Sequence, residues 1–236
     1  MNSLKNWDNK TWLSSTKYIN LFNDFILKQK KLSKNSLILD IGCGRGKIVA
    51  NLFERARLVN KPIGIDIENH KDKSKKIIFK KTDGLSFVSK TKITFDLILI
   101  KQTIHLLKKN QIKKLLSICK TKLNPKGKIL IFSLDPKMNE IPTFDLMNNK
   151  LNKSLKRDNE IFNLISKVYP KTKKKYFVFN VNILKNKYLK MIKNRYISTL
   201  LNFSDKQIVN GLIEIKNKYK KNLNFRDRLI CLIINK

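Results

Sequence analysis

Leu37-Ile38-Leu39-Asp40-Ile41-Gly42-Cys43-Gly44-Arg45-Gly46-Lys47 is the stretch on which the fold turns. An apolar run ending in an acid, three alternate glycines and then the helix-like Lys47-Ile48-Val49-Ala50-Asn51-Leu52-Phe53 read as a strand bending tightly into a helix. Glycine takes positive φ without strain and leaves no Cβ between main chain and ligand, so Gly42, Gly44 and Gly46 mark a bend pressed against something. The helix that follows points free N–H groups at the same space.

The spacing narrows the ligand. Dinucleotide folds use G-x-G-x-x-G and P-loops use G-x-x-x-x-G-K-[ST], whereas this chain has G-x-G-x-G with Asp40 two residues ahead of Gly42. An acid at a strand tip suits a ligand with a cationic amino end, such as S-adenosylmethionine (SAM), better than a pyrophosphate. The segment D-I-G-C-G-R-G closely resembles motif I of class I SAM-dependent methyltransferases. The competing readings are a glycine-rich turn without a ligand and a different nucleotide.

Composition bounds the rest. At 236 residues, 42% of them hydrophobic, the chain can bury a full core as one large domain. Its formal net charge is +35, but only seven of the 52 basic residues are Arg. Abundant Lys, Asn and Ile, all with A/T-rich codons, point to genome composition as a main source of that charge. A nucleic-acid footprint is the rival explanation; the lysines are spread, with small clusters at 73–76 and 171–175 and no basic-aromatic repeat.

Cys43, Cys119 and Cys231 are odd in number and widely spaced, which indicates neither a disulfide framework nor a zinc site; no metal is expected. The first residues lack an apolar signal core and no apolar run approaches the ~18 residues of a membrane span, so no membrane association and a cytoplasmic location are expected.

Along the chain, residues 9–30 read as a leading helix, with Trp7 and Trp12 near its start as a packing staple or part of a lid over the substrate. After a helix to about residue 58, Pro62-Ile63-Gly64-Ile65-Asp66-Ile67 is a second strand ending in an acid. Asp66 there suits both ribose hydroxyls of an adenosyl group, with Glu68 as fallback. A third strand at 77–80 leads into Thr82-Asp83-Gly84, which resembles the family's G-D-A segment; the resemblance gives Asp83 the adenine amino group, and otherwise Asp83 caps the next helix. Strand four, 95–100, should place residues 101–105 at the crevice beyond the strand ends.

The spacing Gln102-x-x-His105 resembles the Q-x-x-H-W segment of trans-aconitate methyltransferase-like enzymes, with Leu106 in place of the aromatic residue. His70 lies in a charged loop and carries less weight. A helix at 109–123, the turn Asn124-Pro125-Lys126-Gly127, strand five at 128–133, one or two helices over 143–168, strand six at 176–183, helices near 185–201 and 204–219 and a closing strand at 228–234 complete the reading. Residues 191–200 resemble a substrate-facing helix of the same subgroup, and Arg195, Tyr196 and Ser198 together suit an anion.

The expected fold is α/β: a Rossmann-like, doubly wound seven-stranded sheet, mostly parallel with an antiparallel last strand, plus a helical cap. Residues 1–34 are expected as an N-terminal helical segment or lid, 35–135 as the SAM-binding core, 136–225 as a helical substrate cap with strand six, and 226–236 as the final core strand. The resemblance implies a SAM-dependent methyltransferase acting on a small molecule, with an anionic carboxylate or thiol among the acceptors. The alternatives are an RNA methyltransferase and a non-catalytic SAM-binding protein. Cofactor contacts are expected from Asp40, Gly42, Cys43, Gly44, Asp66, Ile67, Asp83, Gly84 and Lys101. Acceptor contacts are expected from Trp12, Gln102, His105, Arg195 and Tyr196, with His105 or Tyr196 as a base where the acceptor needs one.

Overall fold

The computed structural model describes residues 11–236; Trp7 lies outside the described residues. Strands β1 (Ile38–Ile41), β2 (Ile63–Asp66), β3 (Ile78–Lys81), β4 (Phe95–Lys101), β5 (Leu123–Leu134), β6 (Lys173–Leu184) and β7 (Asn222–Asn235) form one sheet in the order β3-β2-β1-β4-β5-β7-β6. Neighbours from β3 to β5 pair in parallel, and β7 runs antiparallel to both β5 and β6.

Helices α1 (Thr16–Gln29), α2 (Lys47–Arg55), α3 (Gly84–Lys90), α4 (Lys109–Thr121), α5 (Asp145–Val168), α6 (Lys185–Lys193) and α7 (Asp205–Lys218) complete the chain. The pleat separates two apolar layers. Leu97 and Leu99 of β4 pack with α1, α2, α6 and α7, while Ile98 and Ile100 pack with α4 and the second half of α5.

Helix α1 starts where the Ser15 hydroxyl caps the Tyr18 N–H, and its stripe Tyr18, Phe22, Ile26 is fully buried. Asn23 ties it to α2 by donating to the Ile48 carbonyl (2.9 Å) and Asn51 Oδ1 (2.8 Å), and Phe22 packs on Phe132 of β5 at 4.6 Å. This helix is therefore wall of the core rather than a lid.

What positions the site is the far end of the sheet. β7 pairs with β5 only from Leu229 to Asn235, yet its pairing with β6 continues to Leu184↔Asn222. The β6–β7 ribbon thus overhangs the carboxyl edge of the parallel strands by roughly 20 Å at about 3.3 Å per residue. It carries α6, a 3-10 turn at Ser198–Leu200 and α7 over that edge.

Several elements differ from the sequence-based expectation. The helix expected over 185–201 stops at Lys193, because Arg195 turns left-handed (φ 50°), so the expected substrate-facing helix at 191–200 is a helix end, a bend and a 3-10 turn. Residues 143–168 hold a single helix, α5. The Asn124–Gly127 turn sits inside β5 as a bulge: Phe95 pairs with Leu123 and Leu97 with Lys128. Among the described residues no helix is long and apolar enough to cross a membrane.

Candidate active site

A cavity of about 290 Å³ opens at the carboxyl ends of β1 to β4, where open α/β sheets place their ligands. The bend after β1 makes one wall. Gly42, Gly44 and Gly46 all have positive φ (76°, 54° and 68°), but their surroundings differ. A Cβ on Gly42 would sit 2.1 Å from Thr103 Oγ1, and one on Gly46 2.2 Å from Ile77 Cδ1. At Gly44 a Cβ would meet nothing within 4 Å, and Gly44 lines the cavity. Its missing side chain leaves main chain bare toward open space, the cradle an adenosyl ligand needs.

Opposite the bend, the Asp66 carboxylate ends β2. Gly44 N–H donates to Oδ2 (2.8 Å) and Glu68 N–H donates to Oδ1 (2.9 Å), so both oxygens are oriented by main chain while keeping lone pairs for a ligand. Asp83 lies on the same wall and caps α3, accepting from Ser86 N–H at 2.9 Å; the bonds from Ser86 hold its carboxyl below the usual range. Ile67 and Leu106 are large apolar rim residues left 56% and 52% exposed, suited to the faces of a heterocycle.

Comparison with known proteins fits this geometry. A family model described as a methyltransferase domain matches residues 16–167. This chain belongs to the methyltransferase-domain family.

The fold is shared with several solved methyltransferases. An Anabaena variabilis ATCC 29413 protein assigned as a methyltransferase of an antibiotic biosynthesis pathway superposes with a TM-score of 0.59 at 14% identity, over 89% of this chain and 95% of that one. A SAM-dependent methyltransferase from Archaeoglobus fulgidus gives 0.51 at 20% identity over 92% and 94%. The plantazolicin methyltransferase BpumL, solved with a monoazolic desmethylPZN analog and SAH, gives 0.51 at 17% identity over 92% and 82%. No curated protein sequence matches the chain.

Within this methyltransferase, the residues expected at the cofactor divide by the pleat. Gly42, Gly44, Asp66, Ile67, Asp83 and Gly84 line the cavity. Asp40 and Lys101 do not line it, because Asp40 precedes Ile41 and Lys101 follows Ile100, two isoleucines of the α4 layer, so each points to the other face of the sheet. There Lys101 Nζ lies 5.6 Å from the centroids of both Tyr18 and Phe22 and donates to Gln102 Oε1 at 3.2 Å. Burial pushes the Asp40 carboxyl up to about 7, against the pull of the Lys101 charge. Cys43 turns its thiol toward Gly64, and burial raises its pKa, so the thiol stays protonated.

On the acceptor side, Gln102 and His105 line the main cavity and also a smaller one of about 50 Å³ beside it. Gln102 holds φ 51°, an uncommon conformation for a side-chain-bearing residue, and donates its N–H to the Phe132 carbonyl at 2.7 Å. Burial, with the Arg157 charge adding to it, pushes the His105 imidazole down to about 4, so it is neutral at pH 7.

The other expected acceptor residues are placed elsewhere. Arg195 donates Nη2 to the Phe203 carbonyl (3.0 Å) and Asp205 Oδ1 (2.7 Å), bracing the start of α7, and does not line the cavity. Tyr188 donates to the Pro142 carbonyl, which uses its one proton, so Tyr196 donates to Tyr188 across 3.1 Å. Burial raises the Tyr196 pKa, which removes it as a base. Trp12 packs edge-on against Tyr196 (5.3 Å) and Phe225 (5.2 Å) and donates Nε1 to the buried Asp227 at 2.8 Å. Trp12 and Tyr196 face only a void of about 20 Å³ shared with Gln102.

The structure adds wall residues that the sequence did not single out. His70 is 8% exposed and lines the cavity, carried there by the loop after β2. Arg45 pins that loop through Asp72 (2.7 Å) and by accepting the Ser74 N–H at its carbonyl. Thr82, Leu85, Gln111 and Ser198 also contribute. Among the described residues, neither Lys nor Arg lines the main cavity or the smaller one, and no group of His, Cys, Asp and Glu is arranged to hold a metal ion.

Proposed function

We propose that this chain is a SAM-dependent methyltransferase that methylates a small-molecule acceptor in the cytoplasm. The observation that carries the reading is the bare, left-handed Gly44 facing open space beside an Asp66 carboxylate that its own N–H orients. SAM supplies an electrophilic methyl group on a sulfonium centre. Asp66 accepts the ribose hydroxyls, Asp83 faces the adenine amino group, and Ile67 and Leu106 cover the rings. Solved relatives with SAH bound, such as BpumL, support the same donor.

Alignment and exclusion of water then do most of the remaining work. Gln102 and His105 hold the acceptor at the junction of the two cavities. The imidazole, neutral above about pH 4, accepts a hydrogen bond or a proton from it. The likeness of residues 102–105 to trans-aconitate methyltransferase-like enzymes supports this acceptor-facing role. An anionic acceptor loses its support here, since Arg195 is engaged with α7 and neither Lys nor Arg lines the cavities among the described residues.

Incubation with methyl-labelled SAM and fractionated cell extract tests the reading. Label is expected in small metabolites. Label confined to RNA or protein would overturn the acceptor class, and tight SAM binding without any transfer would leave a binding protein instead.

A further inference from the structure

The smaller cavity holds a buried acid that makes no hydrogen bond within the described residues. Asp158, on α5, is 7% exposed and lines the cavity of about 50 Å³ together with Ser154, Ser198 and Thr199. Among the described residues no hydrogen bond or ion pair reaches its carboxylate. Arg157, the nearest cation in sequence, acts on it through charge alone and donates Nη2 to the Leu107 carbonyl at 3.2 Å. Withdrawing a carboxylate from bulk water without a hydrogen-bond donor to replace the lost hydration is unfavourable. A fold retains such a group most simply where a ligand completes it.

We propose that Asp158 is the recognition site for an ammonium group of the methyl acceptor, which makes the acceptor an amine-bearing small molecule. This rests on the reading of the main cavity as the donor's site. Three walls, Gln102, His105 and Ser198, are common to both cavities, so a molecule anchored at Asp158 reaches the donor cavity across them. About 50 Å³ admits a head group of a few heavy atoms.

Charge points the same way. In a chain of net charge +35, the walls of the two cavities carry Asp66, Glu68, Asp83 and Asp158 and, among the described residues, neither Lys nor Arg. A carboxylate or phosphate entering here finds no Lys or Arg on the walls, and the Arg157 charge that acts on Asp158 and His105 stands behind them, while an ammonium supplies three N–H donors to Asp158 and the nearby hydroxyls. Burial pushes the Asp158 carboxyl up to about 6 against the pull of the Arg157 charge, so it is largely ionised at pH 7 and open to a cationic partner.

The test uses the full chain saturated with S-adenosylhomocysteine at about pH 8, where both Asp158 and a primary amine are charged. Propylammonium, propanol and propionate are titrated separately while the amide resonances of Ser154, Ser198 and Thr199 are followed. Propylammonium is expected to saturate these shifts in the millimolar range, and propionate to leave them in place. Asp158→Asn, close to isosteric, is expected to weaken propylammonium at least tenfold while changing S-adenosylhomocysteine affinity less than twofold. Equal or better binding of propanol or propionate, no binding of any probe, or an Asp158→Asn variant with unchanged propylammonium affinity would overturn the proposal. Failure of the wild-type chain to bind S-adenosylhomocysteine would instead overturn the donor assignment.

Discussion

On the donor side of the main cavity, Gly42, Gly44, Asp66 and Asp83 come from one continuous stretch, 42–83, and act largely through main-chain geometry. On the acceptor side, Gln102, His105, Asp158 and Ser198 come from the exit of β4, the middle of α5 and a 3-10 turn on the β6–β7 overhang, and act through side chains. The first wall depends on backbone that only glycine supports and on an acid oriented by two N–H groups. The second depends on distant elements meeting, and its chemistry can change without disturbing the first.

Six substitutions probe that contrast. The largest effect is expected at Gly42→Ala, where positive φ costs about 1–2 kcal/mol and the clash with Thr103 adds about 1–3 kcal/mol. Gly44→Ala should lose only the backbone part and keep its fold, while its ligand affinity drops because the new methyl enters the cavity. Urea unfolding of both variants measures this; equal stability losses would show that the two glycines do the same job.

Next, Asp66→Ala should weaken S-adenosylhomocysteine by about 1.5–3 kcal/mol, roughly ten- to a hundredfold, by loss of hydrogen bonds to a charged group. Calorimetry that finds Asp40→Asn as damaging as Asp66→Ala would contradict the facing assigned to the two acids. His105→Ala should lower turnover while leaving donor affinity within about threefold of wild type, and a large loss of affinity in titration would move His105 to the donor half.

Asp40 also makes stability pH-dependent. Its folded pKa of about 7 lies above the unfolded value, so the native chain keeps a proton that the unfolded chain has lost, and the stability that Asp40 contributes falls as pH rises from about 4 to 7. Asp40→Asn should remove that contribution, gaining about 1–3 kcal/mol over wild type at pH 8 and little at pH 4, read as the difference in urea unfolding between the two chains at each pH. The smallest effect belongs to Arg195→Ala: up to about 1 kcal/mol of stability, with the acceptor KM unchanged. A raised KM would return Arg195 to the acceptor site.

The strand–glycine–helix bend, the acids at the ends of the second and third strands and the parallel core were legible from residues 37–135, because alternation, turn chemistry and strand-end acids are local signals. Facing was less so. Asp40 and Lys101 sit next to Ile41 and Ile100, both in the layer with α4, yet the pleat turns them to the opposite layer. His70 was undervalued because its charged loop gives no local sign that Arg45 folds it inward. The helix expected through Tyr196 was broken by a left-handed Arg195 that no glycine announced.

By itself, then, the amino-acid order determined the seven-strand plan and the donor's cradle, since both follow from φ preferences and hydrophobic period within a few residues. Only the tertiary structure decided which side chains meet at the junction of the two cavities. That depended on the overhang of β6 and β7 beyond β5, which brings Ser198 and the middle of α5 against the end of β4. Contacts among elements so far apart are set by packing of the whole sheet, and an isolated Asp158 in a lysine-rich helix carries no sign of them.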